Sequence, residues 1–510
     1  MYKKQVSLLL FTEMNSIIPL REKEKIIMEN EREKDNCIRL THISIKDFKN
    51  VKHGEISFVN NSKKNFKASI TGVYGQNGSG KTALIDVLEL LKAALCGMKV
   101  PDRFADFINV EASSAEIEYS FDINMGGKIY PTIYDIILSR EKVIPDDDIE
   151  QTSESASQVH ASITSELLKT KTETANGSFR MSSIIDTKTI NVFIPKAKYD
   201  LLVDGSRETN TDLLVAKKIA RKTAKSFIFS KELIDAIAQK ASREAGKKSS
   251  ECIQYKNLMQ ALMQFGKYEL FVVNTSTSGL ISMNAQPLVF RMLNKKHGSV
   301  GTIAIPIGGP TTIPEEMFKV TEDVIDNMNI VLQTIVPGLT IGVKDLGNQL
   351  MPDGLTGKRV ELVSRKNSRE IPLNYESEGI KKIVSILQLL VVVYNQKSIT
   401  VAIDELDSGV FEYLLGELLR IISEKGKGQL IFTSHNLRPL ETLDRGFVAF
   451  TTTNPERRYI RLTNVKENNN LRDYYFRDIV LGGQKESIYD MTNNAEIAMA
   501  FREAGEYIGS

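Results

Sequence analysis

Apolar and polar positions along the chain follow two periods, and the changes of period mark out its elements. Residues 38–58 read IRLTHISIKDF, a turn at KNVKHG, then EISF, an alternation that predicts an antiparallel strand pair. KASITGVYG is a further β-rich run ending in glycine, and the following KTALIDVLELLKAAL carries apolar residues at helical spacing. Residues 115–139 predict a hairpin around Gly126-Gly127. The Ser/Thr-rich stretch 151–185 reads as a loop. Helical spacing returns over 212–245, 250–266 and 314–334, and short strands with Gly/Pro turns are expected over 269–309. After strands in GLTIGVKDL and GKRVELVSRKNSREIPL, the chain from Glu376 alternates helix, buried strand, helix, buried strand. That alternation predicts a parallel α/β sheet.

Composition narrows the class. Of 510 residues, 42% are hydrophobic and 25% charged, the balance of a globular protein. Lys+Arg number 66 and Asp+Glu 64, so a formal charge of +2 supplies no global field toward nucleic acid or membrane. A local one exists: residues 167–250 hold 17 Lys/Arg against 9 Asp/Glu, a net +8, concentrated in VAKKIARKTAKSF and QKASREAGKKSS. On helices this is either a DNA-facing surface or a solvated lysine-rich face. Few aromatics are interleaved, so single-strand stacking is not indicated.

Cys37, Cys96, Cys252 and five histidines form no CxxC or HExxH spacing. A zinc site or disulfide framework is therefore not expected, and the usage fits a reducing cytoplasm. No apolar run reaches the roughly 18–20 residues that cross a bilayer, and no membrane association is expected. MYKKQVSLLLF lacks the apolar length and cleavage site of a signal peptide. Residues 1–37 are read as a charged extension, with Met28 as an alternative start.

The chemistry concentrates at three places. Gly75-Gln76-Asn77-Gly78-Ser79-Gly80-Lys81-Thr82 satisfies G-x-x-x-x-G-K-[ST] between a predicted strand and a predicted helix. Such a loop turns successive N–H groups toward phosphates, with Lys81 reaching the β/γ-phosphates and Thr82 binding Mg²⁺. The apolar run 398–403 ends in Asp404-Glu405, at a strand end where α/β sheets place their ligands. There Asp404 is expected to hold the metal through water, and Glu405 to position or deprotonate the attacking water. Ser377 and Gly379 open a helix 27 residues before Asp404, and His435 ends a strand 31 residues after it.

P-loop, Ser-x-Gly helix, Asp-Glu and histidine, in that order, resemble an ABC-type ATPase head. DFKNVKHGEISF and the GQNGSGKT form of the loop are similar to the RecF/SMC/OLD-like branch. The resemblance implies an α/β fold, with a mixed sheet flanked by helices plus an antiparallel β subdomain. The head would be split between residues 38–140 and 340–450, around a largely helical or mixed insertion at 141–339 and before a tail at 451–510.

It also implies ATP and Mg²⁺ as ligands, and a homodimer or higher homo-oligomer with ATP sandwiched between heads. Ser377 and Gly379 of one head would close on the γ-phosphate held by the other, His435 would contact that phosphate, and Asp407 would lie in the segment crossing the interface. Here the serine is flanked by Glu376 and Glu378, and the fuller Leu-Ser-Gly-Gly-Gln form is absent. No glutamine closes a strand within 115–139 to match the one the family places between P-loop and signature.

Lys81 and Ser377 lie 296 residues apart, more than a transporter subunit needs, without the long helical arms of SMC proteins. Only 75 residues follow His435, too few for an appended Toprim nuclease. The chain therefore resembles ATPase components of bacterial anti-phage systems that control a separately encoded nuclease or toxin. A RecF-like DNA-repair ATPase and an ATP-bound scaffold with little turnover are the alternatives. Arg472, Tyr474, Tyr475, Arg477 and Gly482-Gly483 read as a docking surface or as a closing helix and turn packed on the head, the second being the expectation.

Overall fold

The computed structural model describes residues 16–19, 37–60, 68–142, 159–173, 179–243, 251–293, 298–351, 354–463, 465 and 470–508. Most of the charged extension, and the parts of the basic segment over 174–178 and 244–250, lie outside them.

The architecture is α/β. A central six-stranded sheet runs in the order Tyr459–Ile460, Val448–Thr451, Ser69–Tyr74, Gln429–Thr433, Thr400–Ile403, Leu270–Val273. The pairings among the last five are parallel, and Tyr459–Ile460 is antiparallel at the edge. Thr400–Ile403 and Gln429–Thr433 are wholly buried, as continuous apolar runs in a covered parallel sheet must be. Tyr74, Thr433, Ile403 and Val273 all end on one edge, which is where a parallel sheet presents ligand-binding loops.

A second six-stranded sheet is antiparallel, in the order Val51–Ser57, Cys37–Phe48, Ser114–Met125, Lys128–Lys142, Val159–Glu173, Phe179–Asp186. In its strand Cys37–Phe48, Ile38, Leu40, Ile43, Ile45 and Phe48 are buried, and the slip in their alternation coincides with a register shift between Leu40 and His42. Helix Lys81–Leu95 packs between the two sheets, so its sides bury together and the one-sided stripe of a surface helix is lost.

Two sequence expectations are corrected. The stretch 151–185 holds strands Val159–Glu173 and Phe179–Asp186, which extend the antiparallel sheet. Ala161, Ile163, Leu168, Ile184 and Ile185 supply their buried face, while the Ser/Thr content hides the alternation. The continuous helical pattern over 212–245 is two helices, Arg207–Lys222 and Lys231–Arg243. Between them Ala224 takes a left-handed φ of 54°, and Ser226, Phe227 and Ile228 turn inward to bind buried Glu166. The stretch 141–339 thus contributes strands to both sheets, including Leu270–Val273 beside Thr400–Ile403.

Smaller sheets complete the fold. One carries Thr311–Pro314, Thr356–Lys366, Thr340–Leu350 and Arg369–Pro372, and another Ser16–Pro19, Gly298–Pro306 and Ala285–Leu293. Helix Leu471–Leu481 buries Tyr474 and Tyr475, Arg472 pairs with Glu441, and the Arg477 guanidinium lies over the Tyr474 ring. Those residues form a closing helix. Among the described residues no helix is long and apolar enough to cross a membrane.

Candidate functional site

The strand Ser69–Tyr74 delivers the glycine-rich loop, and Lys81 begins the helix behind it. Gly78 and Gly80 adopt φ of 75° and 93°, and the left-handed turn at Gly80 allows the chain to enter the helix directly. The Lys81 ammonium donates to the carbonyls of Gly75 and Gln76, each at 2.9 Å, and so closes over the loop it belongs to. Burial pulls its pKa down, and Asp404, Glu405 and Asp407 act in the opposite sense.

The acids arrive on the second strand over. Asp404 is 0% exposed, and its Oδ1 accepts a 2.5 Å hydrogen bond from the Thr433 hydroxyl. The same hydroxyl accepts from the Glu405 N–H at 2.8 Å. Glu405 is half-buried and sits at φ 49°, an unfavourable conformation for a non-glycine residue and one that recurs at functional sites. Asp404 Oδ2 is buried with no hydrogen-bond partner. A buried carboxylate oxygen left open costs stability unless a ligand completes it, so the donor set of Asp404 Oδ2 and the Thr82 hydroxyl fits a hard divalent cation.

His435 follows the strand between those of the P-loop and of Asp404. Its backbone N–H and that of Asn436 donate to Asp407 Oδ2 at 3.0 and 2.8 Å. Asn77, Gly78, Gly80, Lys81, Thr82, Asp404, Glu405, Thr433 and His435 line one cleft of about 290 Å³. Lys49 and Asn50 also line it and are among the residues that the sequence does not single out. The turn that carries them presses on the P-loop: Asn50 donates to the Gly78 carbonyl, and Lys49 pairs with Asp86 of the P-loop helix. Their signal was the DFKNV turn, whose polar residues looked like ordinary hairpin chemistry.

A larger groove of about 700 Å³ lies elsewhere, lined by residues of helices Arg207–Lys222 and Lys231–Arg243 together with Cys96 and Met263. It holds no glycine-rich anion cradle, so the smaller cleft is the candidate site.

The C-terminal segment supports the loop from behind. The Tyr459 hydroxyl donates to the Gly80 carbonyl at 2.8 Å, Thr451 and Ser79 share a hydroxyl–hydroxyl bond, and the Asp490 N–H donates to Gln76 Oε1 at 2.9 Å. These contacts span more than 370 positions, and no local pattern announces them.

Ser377 and Gly379 are not in the cleft. Ser377 is exposed and caps helix Glu378–Asn395, accepting from the Ile380 N–H at 3.3 Å. Glu376 is turned away and accepts from Ser364. Asn274 follows edge strand Leu270–Val273, and Asp404 N–H donates to the Val273 carbonyl at 2.8 Å. An asparagine, rather than the glutamine sought in 115–139, leaves the sheet beside the acids; it bonds Glu89 and caps the next helix. In the basic segment, Lys169, Lys198, Arg221, Lys240 and Arg243 are ion-paired, and Lys217 is held by three backbone carbonyls.

Residues 39–438 match the family described as AAA ATPase domain. Among solved structures, the chain is similar to an SMC head domain from Thermotoga maritima, at 14% identity and TM-score 0.33, over 83% of this chain and 99% of that one. It is also similar to an Smc head domain with an extended coiled coil, bound to the C-terminal domain of ScpA, from Pyrococcus furiosus (12% identity, TM-score 0.35, 83% and 96% covered). A third is an Smc head domain with a coiled coil and joint from Pyrococcus yayanosii (10% identity, TM-score 0.37, 86% and 100% covered). No curated protein matches the chain.

Proposed function

The chain belongs to the AAA ATPase domain family, and from that premise we propose that it binds ATP with Mg²⁺ and hydrolyses it to ADP and phosphate. One observation carries the reading. Lys81 and Thr82 of the P-loop share a single cleft with Asp404, Glu405 and His435, from three neighbouring strand ends.

Each residue has a physical task. The loop N–H groups and Lys81 hold the triphosphate, and Lys81 exchanges its two carbonyl partners for phosphate oxygens. Thr82 and Asp404 hold the metal, which when bound neutralises charge on the phosphate oxygens. Glu405 accepts the proton of the attacking water. His435, exposed at the rim, contacts the γ-phosphate.

We further propose that two heads close around ATP, with the exposed Ser377 N-cap of one meeting the γ-phosphate of the other. The exposure of Ser377, away from its own cleft, supports this arrangement. The closed, ATP-bound pair is then the signalling state of a switch, and hydrolysis resets it. The sequence resemblance supports assigning this switch to an anti-phage system with a separate nuclease or toxin effector, and neighbouring genes for such an effector are its test.

The ATP reading is tested by titrating the purified protein with a fluorescent ATP analogue and measuring phosphate release, with and without duplex DNA. Wild type is expected to bind and hydrolyse, and Lys81→Ala to weaken binding by about 100-fold or more. Binding unaffected by Lys81→Ala overturns the reading. Stimulation by DNA would favour a DNA-facing role for residues 167–250.

A further inference from the structure

Helix Glu378–Asn395 carries a second lysine toward the acids that the nucleotide chemistry does not use. Lys382 is 3% exposed, and its ammonium is in electrostatic reach of Glu405, Asp404 and Asp407 of its own chain. Lys81 faces the same three carboxylates from the P-loop. The acidic turn therefore has a cation on each of two elements.

Backbone geometry explains how Lys382 is brought there. A Cβ on Gly379 would stand 2.1 Å from the Gly409 carbonyl, so the start of the helix lies directly against the turn that follows Asp407. The same turn is pinned on its other side, where Thr433 binds Asp404 and the His435 and Asn436 N–H groups bind Asp407. Asp404 Oδ2 and Asp407 Oδ1 are nonetheless buried without hydrogen bonds. Carboxylates this buried repel one another strongly unless a cation stays near them.

We propose that Lys382 is a positioning residue for hydrolysis, the fixed counter-charge that holds the turn Asp404–Asp407 in place and ties it to the helix beginning at Ser377. The inference rests on the ATPase reading above. When ATP draws Lys81 onto its phosphates, Lys382 remains with the acids, because it is buried on a different helix, one turn along from the Gly379 that meets Gly409. It keeps Glu405 placed, and it also competes electrostatically with the metal at Asp404. Loss of its charge should therefore slow turnover while tightening the metal, a pair of opposite shifts that a packing defect does not produce.

The test uses the full chain and compares wild type, Lys382→Met and Lys382→Arg in steady-state ATP hydrolysis and, for the metal, in Mg²⁺-dependent binding of a fluorescent ATP analogue without turnover, with thermal melts as a folding check. Lys382→Met is expected to lower kcat by about tenfold or more with KM for ATP within about threefold, the pattern of an interaction that acts in the transition state. Its half-saturating Mg²⁺ should fall by about threefold or more, as removal of a nearby cation favours a dication. Lys382→Arg, which keeps the charge, should return both toward wild type.

If Lys382→Met does not fold, Lys382→Gln replaces it and the same two shifts decide. The proposal is overturned by a folded neutral variant with wild-type kcat, by a rise in half-saturating Mg²⁺, or by a folded Lys382→Arg that is as slow as the neutral variant. A wild-type protein that hydrolyses no ATP overturns instead the reading on which the proposal rests.

Discussion

Thr433 donates its hydroxyl to Asp404 Oδ1 at 2.5 Å, and so commits one oxygen of that carboxylate while the other, buried, accepts no hydrogen bond. The threonine ends the strand that lies between the P-loop strand and the Asp404 strand. One side chain thus sets the orientation of the proposed metal ligand and, through the Glu405 N–H, that of the proposed base. Thr433→Val preserves shape and removes the hydroxyl, and a buried hydrogen bond to a charged group is worth about 1.5–3 kcal/mol. Phosphate release should fall by about tenfold and the thermal unfolding midpoint should drop, with both read on the same preparation.

Gly379 is assigned by sequence resemblance to the phosphate of a partner head, yet the structure gives it a task within its own chain. Its missing side chain is what lets the helix start lie against the Gly409 carbonyl. Gly379→Ala forces that contact apart, and overpacking of this kind costs about 1–3 kcal/mol. The destabilisation should be visible in thermal unfolding without nucleotide, before any second head is involved.

The C-terminal segment is a working part of the P-loop. Tyr459→Phe leaves the Gly80 carbonyl without its hydroxyl donor, at a cost of about 1 kcal/mol. ATP affinity should weaken severalfold in the analogue titration, whereas KM for Mg²⁺ should hold.

Much of the site was legible because it is local. The P-loop is eight consecutive residues, and Asp404-Glu405 and His435 each end an apolar run whose burial the composition already implied. The rest depends on contacts distant in sequence or on polar residues within buried strands. Lys382 looks like half of an ordinary Lys-Lys surface pair until the fold buries it. Tyr459 and Asp490 reach the P-loop across most of the chain. Strands Val159–Glu173 and Phe179–Asp186 bury Ser162, Glu166 and Thr170 among their apolar residues and slip register against their neighbours, so Ala161, Leu168 and Ile184 are too sparse to reveal the period.

Glu166, on strand Val159–Glu173 of the antiparallel sheet, is buried and accepts from Tyr134, Ser226 and the N–H groups of Phe227 and Ile228. Burial raises its pKa above the ordinary carboxylate value, and the hydrogen bonds only partly oppose this. With the folded value above the unfolded one, the folded state holds the proton more tightly. Its contribution is full below the unfolded pKa and is lost as pH rises through the folded one. Glu166→Gln should lower stability by about 1–3 kcal/mol, since an amide N–H₂ meets donors, and should flatten the fall of melting midpoint with pH above the carboxylate range.

The central claim is that Glu405 serves hydrolysis in a cleft that binds ATP through Lys81 and Thr82. Its most direct test is phosphate release and analogue binding by Glu405→Gln beside wild type, in saturating Mg²⁺. The variant is expected to bind ATP within about threefold of wild type and to hydrolyse it about 100-fold or more slowly, as loss of a general base predicts. Equal turnover by the two proteins, or no ATP binding by wild type at millimolar nucleotide, would contradict it.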